Sequence, residues 1–410
     1  MNGKKFYLLG SLSGVLLMLV LNMAVPSFAQ RLQPSNSQAS DAPALGSKSS
    51  KDLPKDISEK INAIYKILDE NYVYEYDYEQ TVESIYSGLV YGVGDPYTSY
   101  MTAETLTKYM EETEGVYTGV GTVVSVDEKT NRVVIISPYE GYPGARAGLL
   151  PGDAIVKVDD QDIFGDALDE AVSLMRGEPG TSVKLTIYRE SENRMFDVDI
   201  IREVINMPTV SHKVLDDQIG YLRITNFDRV TTQQFNDAYA DLRAQNIRGL
   251  IIDLRNNPGG LVSVVCNIAD TLLPRGTIVS SEDKHGRREV EKSDDRCIDI
   301  PLLILVNGNS ASASEILAGA VKDLGVGELV GTQTFGKGLI QTLFPLPDGS
   351  AVKVTIARYF TPSGVCIQGE GIPVDYEVEM SDELSVQIST LTVDEDVQLK
   401  KAIEVMRGKM

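Results

Sequence analysis

Short apolar runs and amphipathic helical runs alternate along the chain from Gly220 onward, and no other sequence feature constrains its fold as strongly. The pattern predicts strands at 219–224, 249–254, 301–306 and 326–330, and helices at 231–245, 261–273 and 314–323. Such alternation is typical of βαβ units, in which helices cover a largely parallel sheet. We therefore expect an α/β core, with the charged stretch 276–299 as an irregular insertion over the sheet.

The segment 115–203 has a different pattern, in which short β-branched runs are broken by Gly and Pro turns. The runs and the single helical stretch among them are Gly121–Val126, Arg132–Ser137, Ala154–Val158, Ala167–Met175, Ser182–Tyr188 and Phe196–Ile201. This pattern predicts a compact β-rich module of about 90 residues.

Helical segments flank these two parts. Apolar residues recur at helical spacing over 57–68 and 82–89, and a last helix is predicted at Asp394–Met406. The apolar faces of these helices suit either dimerisation or packing against the chain's own core, and the sequence leaves both open.

The amino-terminal 29 residues have the features of an export segment. Lys4 and Lys5 precede an apolar run from Leu8 to Val25, and Ser27-Phe28-Ala29 places small residues where a signal peptidase cuts. The run is also near the lower length limit for spanning a bilayer, so a cleaved signal peptide and a retained membrane anchor both stay open. Either way we expect an extracytoplasmic protein, joined to this segment by a flexible linker at 30–51.

Composition excludes several classes of function. The chain has 38 Lys and Arg against 59 Asp and Glu, a net charge of −21, so a nucleic-acid partner is not expected. It has only two histidines, His212 and His285, and three cysteines without CxxC spacing. We therefore expect no metal site, no cofactor and no disulfide framework.

The clearest chemical signal lies where the predicted strand 301–306 runs through small residues into a helix, at Ser310-Ala-Ser-Ala-Ser-Glu315. Ser312 and Glu315 fit a capping box, so Ser312 could simply cap the helix. The same geometry suits a nucleophile, because a serine at a strand-to-helix turn exposes its Oγ beside amides that can hold an oxyanion. The segment alone leaves both interpretations open.

A serine nucleophile needs a base, and neither histidine lies in a motif. Lys337 is flanked by glycines and followed by an apolar strand, which indicates a buried lysine whose pKa falls towards neutrality. Gln341 follows four residues later and falls on the same face, where its amide could orient the amine. The alternative is a glycine-rich hairpin with a solvated lysine.

The third element is the turn Asp253-Leu-Arg-Asn-Asn-Pro-Gly-Gly260 after an apolar strand. Its glycines let backbone N–H groups approach a ligand, so Gly259 or Gly260 could supply an oxyanion donor opposite Ala313. As structure it is only a βα turn, in which Asp253 and Arg255 could form an ion pair.

Together, these three motifs resemble the carboxyl-terminal processing proteases, the tail-specific serine peptidases of the S41 type. Lys337 follows Ser312 by 25 positions, as in that family, which selects Ser312 over Ser310 and Ser314. The resemblance implies that Ser312 is the nucleophile, Lys337 its base and Gln341 the positioner of the base. It also implies an oxyanion hole made by the residues Gly259 and Ala313.

The resemblance extends over about residues 52 to 406. Gly94-Asp-Pro-Tyr-Thr-Ser-Tyr100 is similar to the stretch before the family's PDZ domain, and Pro143–Asp153 is similar to the PDZ signature of this group. Gly119, Val120, Gly121 and Thr122 are similar to a PDZ carboxylate-binding loop. One departure is Gly371-Ile-Pro-Val-Asp375, where the family usually has Pro directly before Asp.

The implied fold is α/β and multidomain, with a ClpP/crotonase-like ββα protease core, an inserted β-rich PDZ domain and helical amino- and carboxyl-terminal arms. The predicted domains are 1–29 (signal peptide or anchor), 30–51 (linker), 52–112 (helical arm), 113–203 (PDZ), 204–380 (protease core, with the insertion 276–299) and 381–410 (carboxyl-terminal helix).

The implied function is a serine endopeptidase with a Ser/Lys dyad that binds the apolar C-terminus of protein or peptide substrates through its PDZ domain. Arg146 and Arg176 could link a loaded PDZ domain to the protease body and gate the site, or be solvated or ion-paired. Two other functions are compatible with parts of this pattern: a silent PDZ scaffold, and a crotonase-type acyl-CoA enzyme. The first conflicts with the presence of Ser312 and Lys337, the second with export and acidity.

Overall fold

The computed structural model describes residues 53–54 and 56–410, so the predicted export segment and linker lie outside the described residues. The helices are α1 (Ile57–Asn71), α2 (Tyr78–Tyr91), α3 (Ala103–Glu114), α4 (Pro143–Arg146), α5 (Leu168–Met175), α6 (Thr231–Ala244), α7 (Val262–Leu272), α8 (Ala313–Asp323), α9 (Asp382–Ser385) and α10 (Val397–Arg407).

The strands before the α/β core are β1 (Ser99–Met101), β2 (Val116–Gly119), β3 (Thr122–Asp127), β4 (Arg132–Pro138), β5 (Ala154–Val158), β6 (Gln161–Asp162), β7 (Ser182–Arg189), β8 (Arg194–Ile201) and β9 (Glu203–Asn206). Those of the core are β10 (Val210–Leu215), β11 (Ile219–Ile224), β12 (Gly249–Asp253), β13 (Gly276–Asp283), β14 (Arg288–Ser293), β15 (Leu302–Val306), β16 (Gly327–Gly331), β17 (Leu339–Pro345), β18 (Ala351–Phe360) and β19 (Tyr376–Glu377).

The core sheet has the order β10-β11-β12-β15-β16-β19 and is parallel except for the β10–β11 pair. Every residue of β12 and β15 is buried, because helices cover both faces of the sheet. Leu250 and Ile252 pack with α6, α7 and α8, whereas Ile251 packs with α10 on the other face. The predicted α/β alternation is confirmed, to within about one residue at each end.

A second sheet contradicts the expectation of an irregular insertion at 276–299. β13 and β14 form an antiparallel hairpin there, and β13 pairs with β18, which also pairs with β17 and β1. Most of β14 faces solvent, so its charged residues conceal the alternation that marks a strand. This sheet brings the amino-terminal strand β1 against the α/β core.

The β-rich module has its own sheet, β3-β4-β5-β7-β8, with β6 paired to β5. Its core is separate from that of the α/β part and includes Val133, Ile135, Leu185 and Ile187. The ribbon β2–β9 joins its two ends to the rest of the chain. Within the described chain, β3 lies at the edge of this sheet, with one side unpaired.

The flanking helices differ in what they bury. α10 packs Leu399, Ala402 and Met406 against the core sheet, so its apolar face serves the chain's own core. α1 and α2 bury none of their residues, and Ile64, Ile67 and other large apolar side chains remain exposed. In the described part of the chain, no helix combines the length and apolarity that crossing a bilayer requires.

Candidate active site

Ser312 lies at the turn between β15 and α8, immediately before the first residue of the helix. Its backbone has φ 53° and ψ −109°, a conformation that costs a non-glycine residue on the order of 1–3 kcal/mol and often marks a functional site. The Tyr359 hydroxyl donates to the Ser312 carbonyl oxygen at 3.0 Å, which helps to hold this turn. Ser312 stands at the N-cap position of α8, where its backbone N–H donates to Glu315, but its Oγ is buried without a hydrogen-bond partner among the described residues.

The Glu315 carboxylate connects the turn of Ser312 to the loop of Lys337. One oxygen, Oε2, accepts from the backbone N–H of Ser312 at 2.8 Å and of Lys337 at 2.9 Å. The other, Oε1, accepts from Thr334 Oγ1 at 2.6 Å and from Gly336 N at 2.7 Å. Burial raises the pKa of Glu315 despite these hydrogen bonds. The sequence pattern indicates only a capping box here, and nothing in it predicts that Glu315 fixes the two loops together.

Lys337 is buried, with 3% of its surface exposed, and its Nζ lies 4.6 Å from the centre of the Tyr97 ring. Burial and, to a smaller extent, the positive charge of Lys353 lower the pKa of Lys337. The negative charges of Asp95 and Glu315 raise it in part, and the resulting pKa is about 7. The expectation of a buried lysine is confirmed, and the solvated hairpin is excluded. An amine with this pKa is half neutral near pH 7 and can accept a proton.

Gln341 is fully buried on β17, and its Nε2 donates to Thr355 Oγ1 on the neighbouring strand β18 at 3.3 Å. Its Oε1 is buried without a hydrogen-bond partner in the described chain. A buried amide oxygen with no partner is costly, which indicates a role for this atom in the working site.

Two charged groups beside Lys337 were not predicted. Lys353 on β18 is 1% exposed, and burial lowers its pKa to about 8, although the negative charge of Asp95 raises the pKa in part. Burial alone would raise the pKa of Asp95, but hydrogen bonds from Thr355, Thr98 and the Tyr97 amide hold it below its ordinary value. The signal for Lys353 was its inward position in the period-two pattern of β18.

The glycine turn after β12 lies against the turn of Ser312, as expected. A Cβ on Gly259 would stand 2.7 Å from Ala311 O and 2.9 Å from Ala313 N, and the residue has φ +109°, so only glycine fits. The Gly259 N–H donates to Asn257 Oδ1 at 2.8 Å, so in this structure it is already occupied. Ala313 is fully buried as the first residue of α8.

The predicted ion pair beneath this turn is confirmed. Arg255 and Asp253 are both fully buried and lie 2.6 Å apart, and Arg255 also contacts Asp396 at 2.7 Å. Because Asp396 caps α10, the pair attaches the last helix to the strand that leads into the glycine turn.

The segment 119–122 forms the turn between β2 and β3, with Val120 buried and Gly121 at φ +75°. Arg176, directly after α5, forms an ion pair with Glu111 on α3 and lies 5.1 Å from the centre of the Tyr117 ring. Arg146 instead pairs with Glu203, also within 113–203. Of the two arginines, the structure therefore connects Arg176 to a helix outside the β-rich module.

Neither histidine belongs to this site. His212 is exposed and contacts Asp241 at 2.8 Å, and His285 is exposed in the turn between β13 and β14. Over residues 53–54 and 56–410, no cluster of His, Cys, Asp or Glu could hold a metal ion.

Three family models match the chain: peptidase family S41 at residues 218–378, a PDZ domain at 134–189, and the activating protease CtpB N-terminal domain at 20–105. The S41 match contains both Ser312 and Lys337. The PDZ match lies within the β-rich module.

Curated relatives give the same result. A carboxy-terminal-processing protease of Bartonella bacilliformis is 38% identical over 324 residues, which are 77% of this chain and 74% of that protein. The carboxy-terminal processing protease CtpA of Bacillus subtilis is 35% identical over 326 residues, 79% and 69% of the two chains.

A solved structure described as an S41 protease of Bacteroides fragilis shares the fold, with a TM-score of 0.53 at 16% identity over 83% of this chain and 93% of that one. The sequence identity, the family models and the fold agree. The chain therefore belongs to peptidase family S41, as a carboxy-terminal processing serine protease with a PDZ domain.

Proposed function

We propose that Ser312 is the nucleophile of this protease and Lys337 its general base. The observation that best supports the proposal is the position of the Glu315 carboxylate. Its Oε2 accepts hydrogen bonds from the backbone N–H groups of both Ser312 and Lys337, and so holds the two residues close together. Beside it, Ser312 Oγ is buried without a partner among the described residues, and the pKa of Lys337 is lowered to about 7. A hydroxyl and a neutral amine in this setting are the components of a Ser/Lys dyad.

In the first step, Ser312 Oγ attacks the peptide carbonyl carbon while its proton passes to Lys337 Nζ. The tetrahedral intermediate then breaks the C–N bond, and Lys337 returns the proton to the leaving amine. Water, deprotonated by the neutral lysine, attacks the acyl-enzyme, and Ser312 recovers its proton when the ester bond breaks. Gln341 would orient the amine by accepting a hydrogen bond at Oε1, the buried atom that has no partner among the described residues in this structure.

The oxyanion of the intermediate would be held by the N–H groups of Ala313 and Gly259. Ala313 begins α8, whose amino-terminal end carries a partial positive charge. The Gly259 N–H must exchange Asn257 Oδ1 for the oxyanion. This exchange is favourable because a charged oxygen is a stronger acceptor than a neutral amide oxygen.

The PDZ domain would bind the apolar C-terminus of a substrate protein by strand addition. β3 offers an unpaired edge in the described structure, and Gly119, Val120, Gly121 and Thr122 lie directly before and at its start, where amides can hold the terminal carboxylate. Arg176 would couple the binding of a substrate tail in the PDZ domain to the rest of the protease, because its contact with Glu111 connects the end of α5 to α3.

The remaining features of the proposal concern the whole molecule. We infer a ClpP/crotonase-like ββα protease core, and an extracytoplasmic location reached through residues 1–29, cleaved or retained as an anchor. The exposed apolar residues of α1 and α2, which include Ile64 and Ile67, suit a homodimer formed through the amino-terminal arm.

The test uses residues 30–410, a marginally stable protein with an apolar tail as substrate, and the variants Ser312→Ala and Lys337→Ala. Ser363→Ala, at an exposed serine, is the matched control. We expect cleavage by the parent and the control alone, while Ser312→Ala still binds the tail peptide. Cleavage by Ser312→Ala at the parental rate would contradict the assignment of the nucleophile.

A further inference from the structure

The segment that precedes the PDZ domain lies against the strands of the dyad. Asp95 Oδ2 accepts from Thr98 Oγ1 at 2.6 Å, and Oδ1 accepts from Tyr97 N at 3.0 Å. Thr98 Oγ1 accepts from the backbone N–H of Thr355 at 3.1 Å, which places Thr355 beside the Asp95 carboxylate, and the Thr355 hydroxyl lowers the pKa of that carboxyl. Thr355 on β18 is the direct register partner of Gln341 on β17.

The direction of these hydrogen bonds determines which way the Gln341 amide faces. An ionised carboxylate can only accept, and a threonine hydroxyl has one proton, so the Thr355 hydroxyl beside Asp95 turns that proton towards the carboxylate. Only lone pairs of Thr355 Oγ1 then face Gln341, which must present Nε2 to it, as the 3.3 Å contact shows. Oε1 of Gln341 therefore faces away from Thr355. This agrees with its being buried without a hydrogen-bond partner in the described chain.

We propose that Asp95 is a positioning residue of the active site: acting through the Thr355 hydroxyl, it fixes the amide orientation of Gln341 so that Oε1 receives the Lys337 amine. This inference rests on the proposed function, in which Gln341 orients Lys337. It also means that a segment before the inserted PDZ domain completes the site. Both charged groups that face Asp95, Lys337 and Lys353, favour its ionised, acceptor-only form.

The decisive variant is Thr355→Val, which removes the hydroxyl, keeps the shape of the side chain and leaves the charge of Asp95 in place. We expect kcat to fall about tenfold with KM unchanged, the effect of one lost hydrogen bond. Thr355→Ser should restore most of the rate. Thr342→Val is the matched control, because its buried hydroxyl has no partner among the described residues, and it should keep parental activity.

A double-mutant cycle separates positioning from a general structural effect. If Thr355 acts through Gln341, adding Thr355→Val to Gln341→Ala should cost no further activity. If Thr355→Val fails to fold, Asp95→Asn in the same Gln341→Ala background gives the equivalent test at pH 9, where Lys337 is neutral whether or not the Asp95 charge is present. A parental rate for Thr355→Val, or additive losses in the cycle, would overturn the inference.

The proposed function is tested separately, by the cleavage assay of the Ser312→Ala variant. If this variant still cleaves the substrate, the assignment of the dyad itself is wrong. If Ser312→Ala and Lys337→Ala are inactive while Thr355→Val is unaffected, the dyad stands and only the role of Asp95 is refuted.

Discussion

Replacing Lys337 by methionine should make the protease more stable while it abolishes activity. The lysine is 3% exposed, so its charged form is poorly solvated in the folded state, and burial with Lys353 lowers its pKa from 10.5 to about 7. Methionine has a similar length and no charge, so it fills the same space without this cost.

The magnitude follows from the difference in pKa between the unfolded and folded states. The folded pKa is the lower one, so between about pH 7 and 10.5 the unfolded chain binds more protons, and the stability of the parent rises with pH. The cost of the buried amine is about 5 kcal/mol at pH 6 and falls to about 2 kcal/mol at pH 9. The advantage of Lys337→Met should therefore shrink by about 3 kcal/mol between these pH values.

The assay is guanidinium unfolding of residues 30–410, followed by tyrosine fluorescence at pH 6 and pH 9, with Ser312→Ala in every chain to prevent autolysis. Lys284→Met, at an exposed lysine, is the control and should show no pH-dependent gain. If Lys337→Met shows an advantage that does not change between the two pH values, the amine is not held neutral by the fold, and the reasoning is refuted.

Three further predictions concern activity. Lys353→Met removes a positive charge beside Lys337 and should move the acidic limb of the kcat/KM profile to higher pH. Asp95→Asn removes a negative charge and should move this limb to lower pH. Shifts in the same direction for the two variants would contradict the electrostatic account. Gly259→Ala places a Cβ 2.7 Å from Ala311 O and should lower turnover by on the order of 10² or more; activity within a fewfold of the parent would exclude Gly259 from the oxyanion hole. Arg176→Ala should slow cleavage of a tailed substrate without lowering the melting temperature, and an unchanged rate would remove the proposed gating.

The parts of the fold predicted from sequence are those set by local patterns. β12 and β15 are continuous apolar runs because both of their faces are buried, and such runs are visible without knowledge of their neighbours. Ser312 was found because a strand, small residues and a helix follow each other directly in the chain. The hairpin at 276–299 was missed because charges on the exposed face of β14 hide its alternation.

The charged surroundings of Lys337 could not be predicted in the same way. Asp95 and Lys353 are more than two hundred residues apart in sequence, and they meet only because β1 pairs with β18. The role of Glu315 depends likewise on a loop that begins at Thr334, which no capping pattern includes. Motif spacing identifies reacting groups, but it does not give the nonlocal contacts that set their pKa values.

The central claim is that Ser312 is activated by a neutral Lys337, and covalent labelling tests it most directly. A fluorophosphonate reacts with activated serines, and peptide mass spectrometry locates the modified residue. The account predicts modification of Ser312, at a rate that rises with pH through about 7 and is lost in Lys337→Ala. Modification at another serine, or labelling of Ser312 that Lys337→Ala leaves unchanged, would contradict it.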